Sequence, residues 1–301
     1  MLPSSDHTQP ALPETTGLAG IRSEIDRLDD AIHDLLMARA ALVEKLAASG
    51  VKRGTPFRPA REARILRRLL ARHHGPLPRA TLVGIWRELL GGMTCIQAPF
   101  SVVVWSPTPG SGHLALAREQ FGAAVPILGV RSPAEVMRAV ASGEGSVGVL
   151  PLPEDGVNAE DGIEPWWVSL MRCHGAGLAV VSRLPFVTLR PDGAPDVSAL
   201  VVAALTPEAS GEDRSLVAFE ASAAVSRAAV AELVAAAGFA LCRLVTHRAD
   251  PNLILCLAEV DGLVEAGDPR LTALANFGLV RAVVLGAWPV PPPPSAFAPQ
   301  E

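Results

Sequence analysis

Arg39 stands where a hydrocarbon side chain belongs. Ile21, Ile25, Leu28, Ile32, Leu35, Leu42 and Leu46 advance by alternating steps of four and three, and Arg39 fills the one vacant place in that series. A charge on a packed face is costly unless it is paired, so Arg39 must meet an anionic ligand or a carboxylate of another helix. Farther along, the run FRPARE places Pro59 at a helix start, with Arg61 and Glu62 in its first turn. Gln97 lies one step beyond Met93 on a third amphipathic stripe. An amide there either finds a hydrogen-bond partner or caps the end of the bundle. Arg58, Arg64, Arg67 and Arg68 read as a solvated helix face. With Arg22, the set comprises three guanidiniums, one carboxylate and one amide. It suits a compact dicarboxylate bearing a hydroxyl. A unimolecular rearrangement there needs no nucleophile, metal or cofactor, only positioning and stabilisation of developing charge.

The elements that must position these residues are helical. The first stripe predicts a long helix from Leu18 to about Gly50, ended by Gly50 and the Gly54-Thr55-Pro56 stretch. A short helix follows over about Pro59–His73. A third runs over Arg79–Gln97, with Leu82, Trp86, Leu89 and Met93 on one face. Three helices of such unequal length cannot close a core alone, which points to an intertwined homodimer. After Ala98-Pro99 the period changes. Strands at Ser101–Trp105 and Val147–Leu150 and helices at Leu114–Phe121 and Ala134–Ser142 read as a small α/β unit. Residues 151–197 are rich in Gly and Pro and weakly periodic. From Ser198 a strand, a helix over Val225–Ala237, strands at Leu241–Val245 and Leu253–Glu259, a short helix near Leu271 and a strand at Val280–Leu285 give a ferredoxin-like βαββαβ order. The fold class expected is therefore multidomain. A disordered tail (1–17) and an all-α domain (18–98) precede an α/β lobe (99–197), an α+β domain (198–289) and a Pro-rich tail (290–301). The end from Trp288 reads as disordered or polyproline.

The 301 residues carry a net charge of −5, unevenly spread. Leu18–Gln97 holds 14 basic and 8 acidic residues, leaving 12 basic and 23 acidic for the rest. A basic domain on an acidic body fits a small anionic substrate better than nucleic acid, because Arg39 lies on a buried stripe and the chain has no Tyr. The four cysteines are scattered without metal-ligand spacing. The Gly110-Ser111-Gly112 turn matches neither a phosphate loop nor a nucleophile elbow and reads as a plain turn. No apolar run reaches the ~18 residues a membrane span needs, and the polar N-terminus lacks a signal-peptide pattern, so a cytoplasmic protein is expected.

The runs IRSEIDRLDDAIHDLLMARAALVEKLA, RPAREARILRRL, GPL and IWRELLGGMTCIQ, in that order, resemble the all-helical chorismate mutase family in the form fused to prephenate dehydratase. The resemblance implies conversion of chorismate to prephenate by a Claisen-type rearrangement. Arg22 would reach the partner subunit's site, and Arg39 and Arg61 would act in their own chain, clamping the two carboxylates. Glu62 would accept the ring hydroxyl and Gln97 would donate to the ether oxygen. A lysine of the family falls on Gly50 here, about 20° from Arg39 if the helix continues. Arg53, then Lys52, are candidate substitute cations. Met93 replaces a small polar residue.

VVVWSPTPGSGHLALAREQFG and AEVMRAVASGEGSVGVLPLPEDG resemble the dehydratase in truncated form. The family's Glu-Asn-Ser falls on Pro153-Glu154-Asp155 and its Thr-Arg-Phe on Ser198-Ala199-Leu200, without the arginine. Loss of dehydration is the expectation. Arg214–Pro289 resembles the ACT regulatory domain, with the Gly-Ala-Leu turn replaced around Ala224-Val225 and Glu-Ser-Arg-Pro by Thr246-His247-Arg248-Ala249. A role in dimerisation is expected from it. The alternative for the whole chain is a non-catalytic pseudoenzyme that binds an aromatic-pathway intermediate or a partner enzyme.

Overall fold

The computed structural model describes residues 17–50, 54–155, 164–173, 177–186 and 196–297. They divide into two compact units, Met1–Val51 and Lys52–Glu301. The described part of the first unit is one helix, α1 (Leu18–Ala48), of 31 residues with none buried. Its apolar stripe faces outward from 39% exposure at Leu46 to 71% at Leu35. Propensity alone gives a helix of this length only marginal stability, and an apolar stripe is ordinarily a packing face. The helix stops at Ala48, and Gly50 takes φ +62° beyond its end. The 20° phase between Arg39 and position 50 therefore does not apply, since it assumed unbroken helix. Lys52 and Arg53 lie outside the described residues.

The second unit opens with α2 (Pro59–Arg72) and α3 (Arg79–Gln97). Pro59 starts α2, Glu62 complements its amino end and Arg72 its carboxyl end. Ala60, Ala63, Leu66 and Leu70 form its buried face. On α3 the buried face is Val83, Arg87, Leu90, Gly91, Met93 and Thr94. The stripe expected through Leu82, Trp86 and Leu89 is thus turned by about one residue, leaving those three half-buried.

Nine strands then make one mixed sheet, taken in chain order as β1 (Val102–Trp105), β2 (Ile127–Val130), β3 (Val147–Pro151), β4 (Ala179–Leu184), β5 (Ala199–Ala203), β6 (Asp213–Ser222), β7 (Leu241–Asp250), β8 (Leu253–Asp261) and β9 (Val280–Pro289). Across the sheet the order is β2-β1-β3-β5-β4-β9-β6-β8-β7. β1 runs parallel to β2 and β3, with α4 (His113–Phe121) and α5 (Pro133–Ser142) as the crossovers. Ser132 and Glu135 close a full capping box on α5, and Gly143 ends it in the left-handed conformation. β5 lies antiparallel between β3 and β4.

β6, α7 (Arg227–Ala236), β7, β8, α8 (Pro269–Asn276) and β9 follow in the order βαββαβ, paired as β9-β6-β8-β7. The two halves of the sheet meet where Val180 of β4 pairs with Gly286 of β9. A Cβ at Gly286 would overlap the Val180 backbone, and its φ of +144° suits glycine alone. One helix, α6 (Trp166–Arg172), packs Trp166, Trp167, Leu170 and Met171 against the sheet.

Three features depart from the sequence reading. β2 was not expected. It is a four-residue edge strand with half-exposed ends and exposed Leu128 and Gly129, so it lacks a buried pattern. α6 and β4 lie inside the stretch read as weakly periodic. The run WWVSLM is apolar apart from Ser169 and too short to give a helical period. The chain end is also ordered through Phe297. Trp288 is 2% exposed at the end of β9, and Pro294–Phe297 forms a 3-10 turn that inserts Phe297 beside Leu66, Leu70 and Phe186.

Candidate active site

Arg22 and Arg39 both stand on α1, Arg22 exposed and Arg39 half-buried. Arg61 and Glu62 occupy the first turn of α2, and Gln97 is the last residue of α3. The structure thus places two of the five expected residues in the first unit and three in the second. Arg61 is exposed. Gln97 donates from Nε2 to the Met93 carbonyl at 3.3 Å, one turn back, so its amide is held along the helix it ends.

Glu62 is the most constrained of the set. Arg87 donates from Nη1 to its Oε2 at 2.9 Å. The two side chains are 13% and 6% exposed. Burial pushes the Glu62 carboxyl up, and the guanidinium only partly offsets that. Burial likewise pushes Arg87 down, against the pull of Glu62. The pair is therefore one in which desolvation outweighs attraction, held by geometry rather than by net gain. The Arg87 guanidinium also lies 5.1 Å from the centre of the Phe186 ring. Sequence reasoning passed over Arg87. The signal was present, since Val83, Arg87, Leu90 and Thr94 share one helical face.

The basic face of α2 is solvated only in part, with Arg64 and Arg68 exposed but Arg58 and Arg67 half-buried. Arg67 donates to Ser210 O and Oγ, Glu212 O and Val290 O at 2.7–3.2 Å. Arg64 donates to Ala209 O at 3.0 Å. Arg58 donates to Thr55 O and Phe57 O at 2.7 and 2.9 Å. Arg64 and Arg67 thus bind α2 to the sheet body, whereas Arg58 satisfies carbonyls of the turn that leads into the helix.

Two of the positions that resemble the dehydratase, Asp155 and Leu200, make contacts within the sheet body. Asp155 pairs with Arg227 at 2.7 Å and accepts from the Thr246 N–H at 3.0 Å. Burial raises its pKa, but these bonds and the charges of Arg227 and Arg243 outweigh that, and the net shift is downward. Leu200 is buried in β5. Leu152, Pro153 and Leu200 border a cavity of about 10 Å³, room for one water, together with Arg183, Glu259 and Trp288. The Gly110–Gly112 turn leads into α4, with Ser106 and Ser111 hydroxyls 3.3 Å apart. Among the described residues no group of acidic, His and Cys side chains has the arrangement of a metal site, and no helix is long and apolar enough to cross a membrane.

Residues 21–98 match the model of the family chorismate mutase type II. A bifunctional chorismate mutase/prephenate dehydratase of Stutzerimonas stutzeri is 30% identical over 147 residues, covering 47% of this chain and 40% of that protein. The enzyme of the same description from Pseudomonas aeruginosa is 30% identical over 143 residues, 45% of this chain and 38% of its own length. The chain thus aligns with about two fifths of the curated relatives it matches. Among solved structures, GqqA, described as a novel type of quorum-quenching acylase, is 19% identical with a TM-score of 0.46, covering 66% of this chain and 98% of its own. A prephenate dehydratase of Streptococcus mutans is 16% identical with a TM-score of 0.43, covering 63% and 97%. Both scores lie below 0.5, so these likenesses decide neither fold nor activity. The match over residues 21–98 coincides with α1, α2 and α3, the helices on which all five expected residues lie, and it makes this segment a chorismate mutase type II domain.

Proposed function

We propose that the chain is a cytoplasmic, homodimeric chorismate mutase that converts chorismate to prephenate and does not dehydrate it. The observation that carries the reading is the coincidence of the family match with three helices bearing Arg22, Arg39, Arg61, Glu62 and Gln97. The rearrangement breaks one C–O bond as one C–C bond forms within a single molecule. The protein therefore has to hold the two carboxylates and stabilise charge growing on the ether oxygen. Arg39 and Arg61, with Arg22 of the partner copy, supply guanidiniums for the carboxylates. Arg87 engages Glu62 Oε2 and so orients the carboxyl, leaving Oε1 as the atom assigned to the ring hydroxyl. Gln97 turns its amide from Met93 O to the ether oxygen when substrate is bound. The uncovered stripe of α1 supports a second copy as its partner, and the βαββαβ unit, read as ACT-like, adds to dimerisation. Absence of the motif arginine at Ser198-Ala199-Leu200, and the use of Asp155 as a latch, support loss of dehydration.

One observation favours a second reading, a non-catalytic binder of an aromatic-pathway intermediate. α1 ends at Ala48 and Gly50 turns left-handed where the family has a lysine. A missing transition-state donor costs ~3 kcal/mol, a hundredfold or more in rate. The test is chorismate disappearance and prephenate appearance, followed for wild type, Arg39→Ala and Leu35→Asp. Turnover in the wild type, abolished by Arg39→Ala, with monomers and lost turnover in Leu35→Asp, is expected. Binding of chorismate without turnover overturns catalysis and leaves the second reading. Release of carbon dioxide from prephenate overturns the loss of dehydration.

A further inference from the structure

The antiparallel sheet formed by β9, β6, β8 and β7 is covered on one face by α7 and α8. Among the described residues its other face is covered by α6 for only part of its length. Trp166, Trp167, Leu170 and Met171 pack on Leu216, Ala218, Leu255 and Leu285, and the face then continues past Met171. There it forms a cavity of about 350 Å³ lined by the apolar side chains of Met171, Leu253, Leu255 and Val283 and by Arg172, Arg281 and Glu220. This size lies in the range of small-molecule pockets.

Arg281 is held in an unusual way. Its φ is +52°, and it is the only non-glycine residue with positive φ among those described. It sits in a β-bulge, where the β6–β9 register shifts between Ala218 and Glu220. Bulges re-aim side chains, and a non-glycine residue kept in this conformation marks a place where that side chain is used. The bulge sets Arg281 against Glu220 at 2.9 Å, at the mouth of the cavity. Arg172 at the end of α6, which also lines the cavity, pairs with Glu164 at 2.5 Å. The two arginine side chains are 75% and 61% exposed. A guanidinium has five N–H donors, so each can hold its glutamate and still bind an incoming anion.

We propose that this cavity binds a small organic monocarboxylate with a hydrocarbon body. Arg172 and Arg281 span the carboxylate, and Met171, Leu253, Leu255 and Val283 take the body. Glu220, beside Arg281, repels a second negative group, so dicarboxylates bind more weakly. That selectivity is opposite to the one assigned to the mutase site, and the proposal stands whether or not the chain turns over chorismate.

The test is calorimetric titration of the full chain with 3-phenylpropionate, its neutral amide and phenylsuccinate. Saturable binding of the monocarboxylate is expected, with the amide and the dicarboxylate at least about tenfold weaker. Arg281→Gly suits the positive φ and so keeps the fold. It and Arg172→Gln should each weaken 3-phenylpropionate about ten- to hundredfold, the worth of one charge-assisted hydrogen bond, with chorismate handling unchanged. Failure of 3-phenylpropionate to bind overturns the proposal, as does equal binding of either other probe. So does wild-type affinity in either variant, because both guanidiniums are required.

Discussion

Replacing Arg87 by methionine removes the partner of a carboxylate that is 13% exposed, while keeping most of the side-chain volume. Breaking one side of a buried ion pair costs ~3–5 kcal/mol, because the remaining charge is left without compensation. Loss of the contact with the Phe186 ring, 5.1 Å away, adds about 1 kcal/mol. Against the ~5–15 kcal/mol of a typical domain, this is a large fraction. With a urea slope of ~2–3 kcal/mol per molar, the unfolding midpoint of Arg87→Met should fall by about 1.3–3 M. Replacing both partners, as Glu62→Leu with Arg87→Met, should restore most of that loss, since desolvation already outweighs attraction in the pair. The sign of the pH effect follows from Glu62. Burial raises its folded pKa, so protonation is favoured in the folded state and its contribution to stability grows as pH falls. The penalty of Arg87→Met should therefore shrink between neutral pH and about pH 5. Urea unfolding of wild type, both single variants and the double variant at the two pH values gives the full cycle. A midpoint for Arg87→Met within about 0.3 M of wild type refutes the buried pair. So does a double variant less stable than either single one.

Adjacent glycines of α3 should respond oppositely to alanine. A Cβ at Gly91 overlaps the Phe121 carbonyl, whereas one at Gly92 meets nothing within 4 Å. Gly91→Ala should lower the thermal midpoint, and Gly92→Ala should raise stability by about 0.5–1 kcal/mol through helix propensity. Phe297→Ala should cost ~3–5 kcal/mol in urea unfolding, because the ring is 7% exposed in the cluster with Leu66 and Phe186. A cost near zero there would mean the chain end does not pack. Asp155 has a folded pKa below its ordinary value, so its contribution is present above that value and lost as pH falls through the folded one. Asp155→Asn should accordingly flatten the acid limb of a stability–pH profile below about pH 4, and an unchanged limb would deny the latch to Arg227 and Thr246.

The helical bounds were legible because their punctuation is chemical. Pro59 and Arg79 start α2 and α3 where the stripes begin, and Gln97 ends α3 before Ala98-Pro99. Most of the βαββαβ order was legible for the same reason, but its first strand is β6, while the strand read from Ser198 is β5 and lies between β3 and β4. What escaped was whatever depends on a distant partner. β2 is a strand because β1 pairs with it, α6 is a helix whose apolar sides are set by the sheet it plugs, and Phe297 is ordered by α2. The same limit applies within the site. Glu62 was legible as a carboxylate at a helix start. That Arg87 holds it depends on how α2 lies against α3, which no spacing along either helix encodes.

These partners give α2 two duties. Arg61 and Glu62 in its first turn belong to the proposed mutase site. The same helix is fixed to the sheet body through Arg67, whose guanidinium reaches carbonyls of Ser210, Glu212 and Val290, residues far apart in sequence. Its apolar side is completed by Phe186 and Phe297, which come from beyond residue 98. The segment that matches a mutase family therefore does not own all of its core. Truncation at residue 98 would leave Leu66 and Leu70 without those two rings and Arg67 without its acceptors. In this chain the sheet body is a structural requirement of α2 and α3, which gives it a reason to be retained whatever chemistry its own positions carry.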